Sequence, residues 1–255
     1  MIFTKRDFLW TGALALMSLA GCREPEAGQK VAKADATFAS LVYLTHADSA
    51  GAPYALGAPF STGAGERVEL TEAKYYLSNP VLTDSAGRRV PLGPWYRLVS
   101  LRNPASWQLR LPDAPAGRYQ SLELMVGVDS TQSMRLDHSG QLAPDSGMFW
   151  TWDTGFLHTK TEGFVGRGRQ YFSWHVGGFA FPDANQRRIQ IPLGRGGLAL
   201  RSRQTLHTYL RIDVGRALVG ALTPGAALVV HDKRQGRTVA DQWARAFVVD
   251  SIEAQ

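Results

Sequence analysis

Cysteine is almost absent from this 255-residue chain, which carries one, Cys22. A single thiol excludes an internal disulfide framework and any zinc or iron–sulfur site built from several cysteines of the chain. Long apolar runs are also missing. The longest, residues 8–20, is shorter than the roughly 20 residues that a bilayer-spanning helix needs. Familiar catalytic signatures are lacking as well: there is no Gly-x-Ser-x-Gly elbow, no His-Glu-x-x-His and no phosphate-binding loop. Gly194-Arg195-Gly196-Gly197 lacks a strand–helix setting and reads as a loop, and Gly166-Arg167-Gly168-Arg169 reads as a hairpin tip. No nucleophile–base pair or acid pair stands out, so an enzyme is not expected.

What is present describes an exported, folded protein. Hydrophobic residues make up 44% and charged residues 20%, enough to bury a core and too apolar for general disorder. Lys5 and Arg6 precede the apolar run, and Leu19-Ala20-Gly21-Cys22 follows it. This order resembles a bacterial lipoprotein signal, in which the cysteine is acylated and becomes the new N-terminus. Residues 1–21 are thus expected to be removed, and 22–36 to form a polar tether behind lipidated Cys22. Arg23 follows the cysteine where no Asp suggests inner-membrane retention. The expected location is the periplasmic side of the outer membrane or the cell surface. Loss of Lys5, Arg6 and Asp7 takes the net charge from +6 to +5. On an exported lipoprotein that charge meets lipid phosphates and small molecules, and no nucleic-acid partner is expected.

Period-two alternation dominates the rest. In 120–128, Leu122, Leu124, Val126 and Val128 share a face; in 187–193, Ile189, Ile191 and Leu193 do; in 206–214, Leu206, Leu210, Ile212 and Val214 do. Further strands are expected at 38–46, 67–70, 74–77, 96–101, 107–111, 148–152, 156–160 and 170–176. Only 238–248 reads clearly as a helix, with a short turn near 214–219. Closely spaced strands with few helices predict one all-β domain over 37–255, an antiparallel sandwich or barrel with a short C-terminal helix.

Imidazole is the natural exported-protein ligand for copper or zinc once cysteine is excluded, which turns attention to six histidines. His207 lies on a polar strand face and His231 beside Asp232 and Lys233 at a turn; both read as solvated, as does His138. His158 sits in an expected strand. His46 ends an apolar strand on the face of Val42 and Leu44. His175 stands between Trp174 and Val176, ahead of Gly177-Gly178, where the backbone is free to kink. On pattern alone a structural role is the favoured reading of both. Asp129, Asp137 and Asp145 share a loop without the ligand spacing of a calcium loop. Trp150 and Trp152 share a strand face, for which core packing is the plain account.

Several motifs occur together and in order: Lys74-Tyr75-Tyr76-Leu77-Ser78-Asn79, Gly127-Val128-Asp129-Ser130, Gly147-Met148-Phe149-Trp150-Thr151-Trp152-Asp153-Thr154-Gly155-Phe156, Lys160-Thr161-Glu162-Gly163, and Phe172-Ser173-Trp174-His175-Val176-Gly177-Gly178-Phe179. Together they resemble the MbnP family, from about Leu41 to Val219. The resemblance implies a periplasmic or surface β-domain that binds copper in several relatives. It also implies a partner, a di-haem enzyme of the bacterial cytochrome c peroxidase type, which in relatives oxidises a tryptophan to kynurenine beside two copper-binding histidines. Carried over by position, the histidines fall on His46 and His175, and the tryptophan on Trp152 or Trp150 in preference to Trp174. His158 stands where relatives carry an aromatic residue. The expected function is therefore copper acquisition, storage or transfer by a lipoprotein holding one copper ion. The alternative is a metal-free envelope interaction or scaffold protein with the same fold.

Overall fold

In β1 (Thr37–Ala47) every second side chain is buried: Phe38, Ser40, Val42, Leu44 and His46 point one way, while Leu41, Tyr43 and Thr45 are more exposed. That is the period of a strand with one face on a core. The computed structural model describes residues 36–151, 154–219, 222 and 227–255. After β1 come β2 (Pro59–Ser61), β3 (Arg67–Asp84), β4 (Arg89–Pro91), β5 (Tyr96–Ser100), β6 (Gln108–Pro115), β7 (Gly117–Val126), the short helix α1 (Ser130–Ser133) and β8 (Phe149–Thr151). The chain continues through β9 (Gly155–Val165), β10 (Gln170–Gly177), β11 (Arg187–Pro192), β12 (Leu198–Leu200), β13 (Thr205–Asp213), α2 (Val214–Val219), β14 (Val229–Val230), α3 (Gly236–Arg245) and β15 (Phe247–Ala254). The expected all-β class is what is seen.

Two sheets enclose the main core. The smaller runs β15-β13-β1-β6, and the larger is built on β11-β7-β3-β9-β10-β14, with shorter strands added to β3, β7 and β9. Phe38, Val42 and Leu44 of one sheet meet Leu70, Ala73, Tyr75, Trp174 and Val176 of the other in one apolar cluster. Helix α3 adds Val239, Ala240 and Trp243 to this core, and the Trp243 ring lies 5.1 Å from that of Tyr75.

Three details depart from the sequence reading. The two strands expected at 67–70 and 74–77 are halves of one 18-residue strand, β3, whose irregularity between Leu70 and Glu72 interrupts the alternation. The helix expected over 238–248 ends at Arg245, and Phe247 and Val248 instead begin β15, an edge strand. Their apolar side chains continue the helical stripe in sequence while pairing with β13 in space. The sandwich is also not purely antiparallel: β1 pairs with β13, and β10 with β14, in parallel. Parallel neighbours need long crossovers, so neither pairing shows as a hairpin in the sequence.

A second layer covers the outer face of the large sheet. Tyr75 faces inward and Tyr76, its neighbour in β3, outward, as the pleat requires. Tyr76, Val128, Leu142, Met148, Phe156 and Leu157 form a separate apolar cluster with Phe149 and Trp150 packed against it. The segment from Val128 to β8 thus lies over the sheet and ends at Trp150.

Candidate functional site

The parallel pairing of β10 with β14 aligns Ser173 with Val229 and Trp174 with Val230. The next residues along the chain are His175, still within β10, and His231, just past the end of β14. Their rings stack, with centroids 4.4 Å apart and planes 16° from parallel. Trp150 closes the group, meeting both rings edge-on at 5.8 Å from His175 and 5.3 Å from His231. His175 is half-buried and His231 exposed, so the pair opens to solvent on the His231 side.

Both rings turn Nε2 toward one hydroxyl. Ser173 Oγ lies 3.2 Å from His175 Nε2 and 3.0 Å from His231 Nε2. His175 Nε2 also lies 2.7 Å from Glu162 Oε1, and Lys160 Nζ approaches the same oxygen at 3.3 Å. Burial lowers the His175 pKa below the usual value against the opposing pull of Glu162, and the neighbouring His231 lowers it further. Burial alone would raise Glu162; its hydrogen bond to His175 and the Lys160 ammonium hold it below the usual carboxylate range. A neutral imidazole beside an ionised carboxylate is the resulting state near neutral pH.

His46 lies elsewhere. It is buried between the sheets, 3% exposed, with Nε2 3.0 Å from the Tyr75 hydroxyl and its ring 4.6 Å from that of Trp107. Its Nδ1 has no partner. Burial lowers its pKa to about 4. Tyr75 pairs across the sheet with Thr159 on the inner face, whereas His175 aligns with Lys160 on the outer face. The large sheet therefore stands between His46 and His175, and the expected convergence of these two residues is not found. The strand period puts His46 on a core face, and its neighbours could not be read from sequence.

His158 is 1% exposed; the Val128 N–H donates to its Nδ1 at 3.2 Å and its Nε2 donates to the Gly178 carbonyl at 2.9 Å. Both nitrogens are satisfied and burial lowers its pKa to about 4, so it ties the covering segment to the strand end as a neutral structural ring. His207 faces the Tyr43 hydroxyl at 3.2 Å, and His138 packs against Phe149 and Phe156. Asp129 caps α1 and accepts from Tyr96 and Asn79, Asp137 pairs with Arg135, and Asp145 occupies an exposed turn. The three carboxylates thus do not gather on one ion. Trp174 is fully buried in the core, on the face opposite His175. Trp152 and Cys22 lie outside the described residues.

His231, read from sequence as a solvated turn residue, is the member that was missed. The available signal was the apolar run Leu228-Val229-Val230 that ends on it, much as an apolar strand ends on His46. Among the described residues no group of three or more His, Cys, Asp or Glu has the arrangement of a metal centre. What the site offers is two imidazoles whose Nδ1 atoms make no hydrogen bond among the described residues, beside an indole.

Fold and site together define an all-β protein with a paired-imidazole site on the outer face of its larger sheet. The MbnP family model matches residues 41–231, and the chain belongs to the MbnP family. Among solved structures it is similar to MbnP from Methylosinus trichosporium, at 17% identity and a TM-score of 0.47 over 86% of this chain and 99% of that one. No curated protein matches it.

Proposed function

We propose that this MbnP-family protein is an exported lipoprotein that binds one copper ion through His175 and His231 and stores or transfers it without turning over a substrate. The observation that carries the reading is the stacked pair itself, 4.4 Å apart beneath Trp150. Two neutral imidazoles are a donor set suited to copper, and burial keeps His175 neutral. Stacked rings direct their lone pairs side by side, so one ring must tilt for both to reach the same ion. His231, exposed at the end of a two-residue edge strand, has the room to do so.

Trp150 is the described tryptophan whose ring meets both members of this pair, so in our reading it, or Trp152 two residues further along the sequence, is the residue that a di-haem partner oxidises to kynurenine. Kynurenine's amine or carbonyl supplies a further donor. Lipid on Cys22 holds the domain at the periplasmic side of the outer membrane or at the cell surface. The competing reading, a metal-free interaction protein, is favoured by one feature: each Nε2 already has a protein partner.

Elemental analysis of the purified lipoprotein, followed by titration with copper, separates the two. One copper per chain, lost in a His175→Ala/His231→Ala double variant, is the expected result. A parent protein that takes up no copper makes the metal-free reading the right one.

A further inference from the structure

A neutral imidazole offers a lone pair from only one of its two nitrogens, and the site of the ring proton decides which. On His175 that site is dictated by its neighbours. Nε2 lies 2.7 Å from Glu162 Oε1, and an ionised carboxylate only accepts hydrogen bonds, so Nε2 is the nitrogen that bears hydrogen. Nδ1 has no partner among the described residues. Glu162 is itself held in place: it aligns with Ser173 across β9 and β10, and Lys160, one outward position away, aligns with His175. Lys160 Nζ sits 3.3 Å from the same Oε1, which keeps that oxygen charged and fixed.

We infer that Glu162 is a positioning residue: it holds the Nε2 proton of His175 and so presents Nδ1 as the nitrogen open to a metal ion. The tautomer follows from the hydrogen bond alone, while its use in metal binding rests on the copper reading above. Carboxylate–imidazole–metal relays of this kind fix ring orientation and raise ligand basicity. The arrangement also explains why a carboxylate so near an imidazole need not be a ligand. Ser173, 3.2 Å from Nε2, is the weaker second acceptor and cannot replace a full negative charge.

The test begins with the metal-free full chain, nitrogen-15 labelled, in which long-range proton–nitrogen NMR correlations report which nitrogen of His175 is protonated. The parent is expected to show Nε2–H. Glu162→Ala is expected to shift His175 toward Nδ1–H, and Glu162→Gln, whose amide oxygen accepts the same bond, to retain Nε2–H. With Cu(I) as probe, Glu162→Ala should lose about 10–100-fold in affinity, and Glu162→Gln should recover most of it. Far-ultraviolet circular dichroism of each variant checks that the fold is kept. An Nδ1–H ring in the parent, or a Glu162→Ala variant with unchanged tautomer and unchanged affinity, overturns the inference. Failure of the copper reading looks different: the parent binds no Cu(I), while the tautomer still responds to Glu162→Ala.

Discussion

His175, inside β10, and His231, the residue after β14, stack because those two strands run parallel. Trp174 and Val230 are register partners, and the residue that follows each of them brings its ring to the same stacked pair. β14 is only two residues long and lies at the sheet edge, so the pair is joined late in the chain by a small element. An exposed ring just past a short edge strand thus lies against a half-buried ring inside a longer one.

Single substitutions should divide the histidines sharply. His175→Ala and His231→Ala are each expected to weaken copper binding by at least about tenfold, since one imidazole cannot hold the ion as two do. His46→Ala should bind copper like the parent yet unfold at lower denaturant, because a buried ring packed on Trp107 and Tyr75 is lost. Copper titration beside urea denaturation checks both. Loss of binding in His46→Ala with none in His231→Ala would move the site into the core.

Acid should unfold the protein partly through its two core histidines. His46 and His158 are pushed down to about 4 by burial, against about 6.5 in the unfolded chain. The unfolded state therefore binds more protons between those values. The stability from keeping each ring neutral is fully present above about pH 6.5 and is lost progressively as the pH falls toward 4. At full extent the loss is about 3 kcal/mol for each. Urea denaturation of the metal-free protein between pH 7.5 and 4.5 should show this slope, reduced in His46→Gln. Equal slopes for parent and variant would contradict the assignment.

Gly127 should not tolerate a side chain. Its φ is +122°, and a Cβ there would stand 2.7 Å from His158 Nδ1, between the ring and the backbone it is bonded to. Gly127→Ala is expected to cost about 2 kcal/mol or more, combining backbone strain with overpacking. Gly87→Ala, at φ +81° with open space around it, is the control for the backbone part alone and should cost less. Denaturation midpoints of the two variants make the comparison; equal losses would show that His158 yields freely.

Cys22 should carry the anchor. Cys22→Ser is expected to leave an unlipidated precursor and to reduce stable membrane attachment, since several acyl chains hold firmly where one is marginal. Metabolic labelling with a fatty acid, followed by fractionation, reads this directly. Normal label in the variant would place any lipid elsewhere.

Alternation by itself determined most of the fold. The strand expected at 206–214 is Thr205–Asp213 and that at 187–193 is Arg187–Pro192, because burying one face of a sheet imposes a period of two that local sequence must obey. The same rule put His46 inward with Val42 and Leu44, and His175 opposite Trp174. Period says which face a residue takes and nothing about which strand lies next to it. That His46 meets Tyr75 rather than His175 was decided by the packing of the two sheets against each other, and that His175 meets His231 by a pairing of distant segments, β14 beside β10. Parallel and crossover pairings are stabilised by apolar surface brought together from distant segments, and no local pattern records that closure.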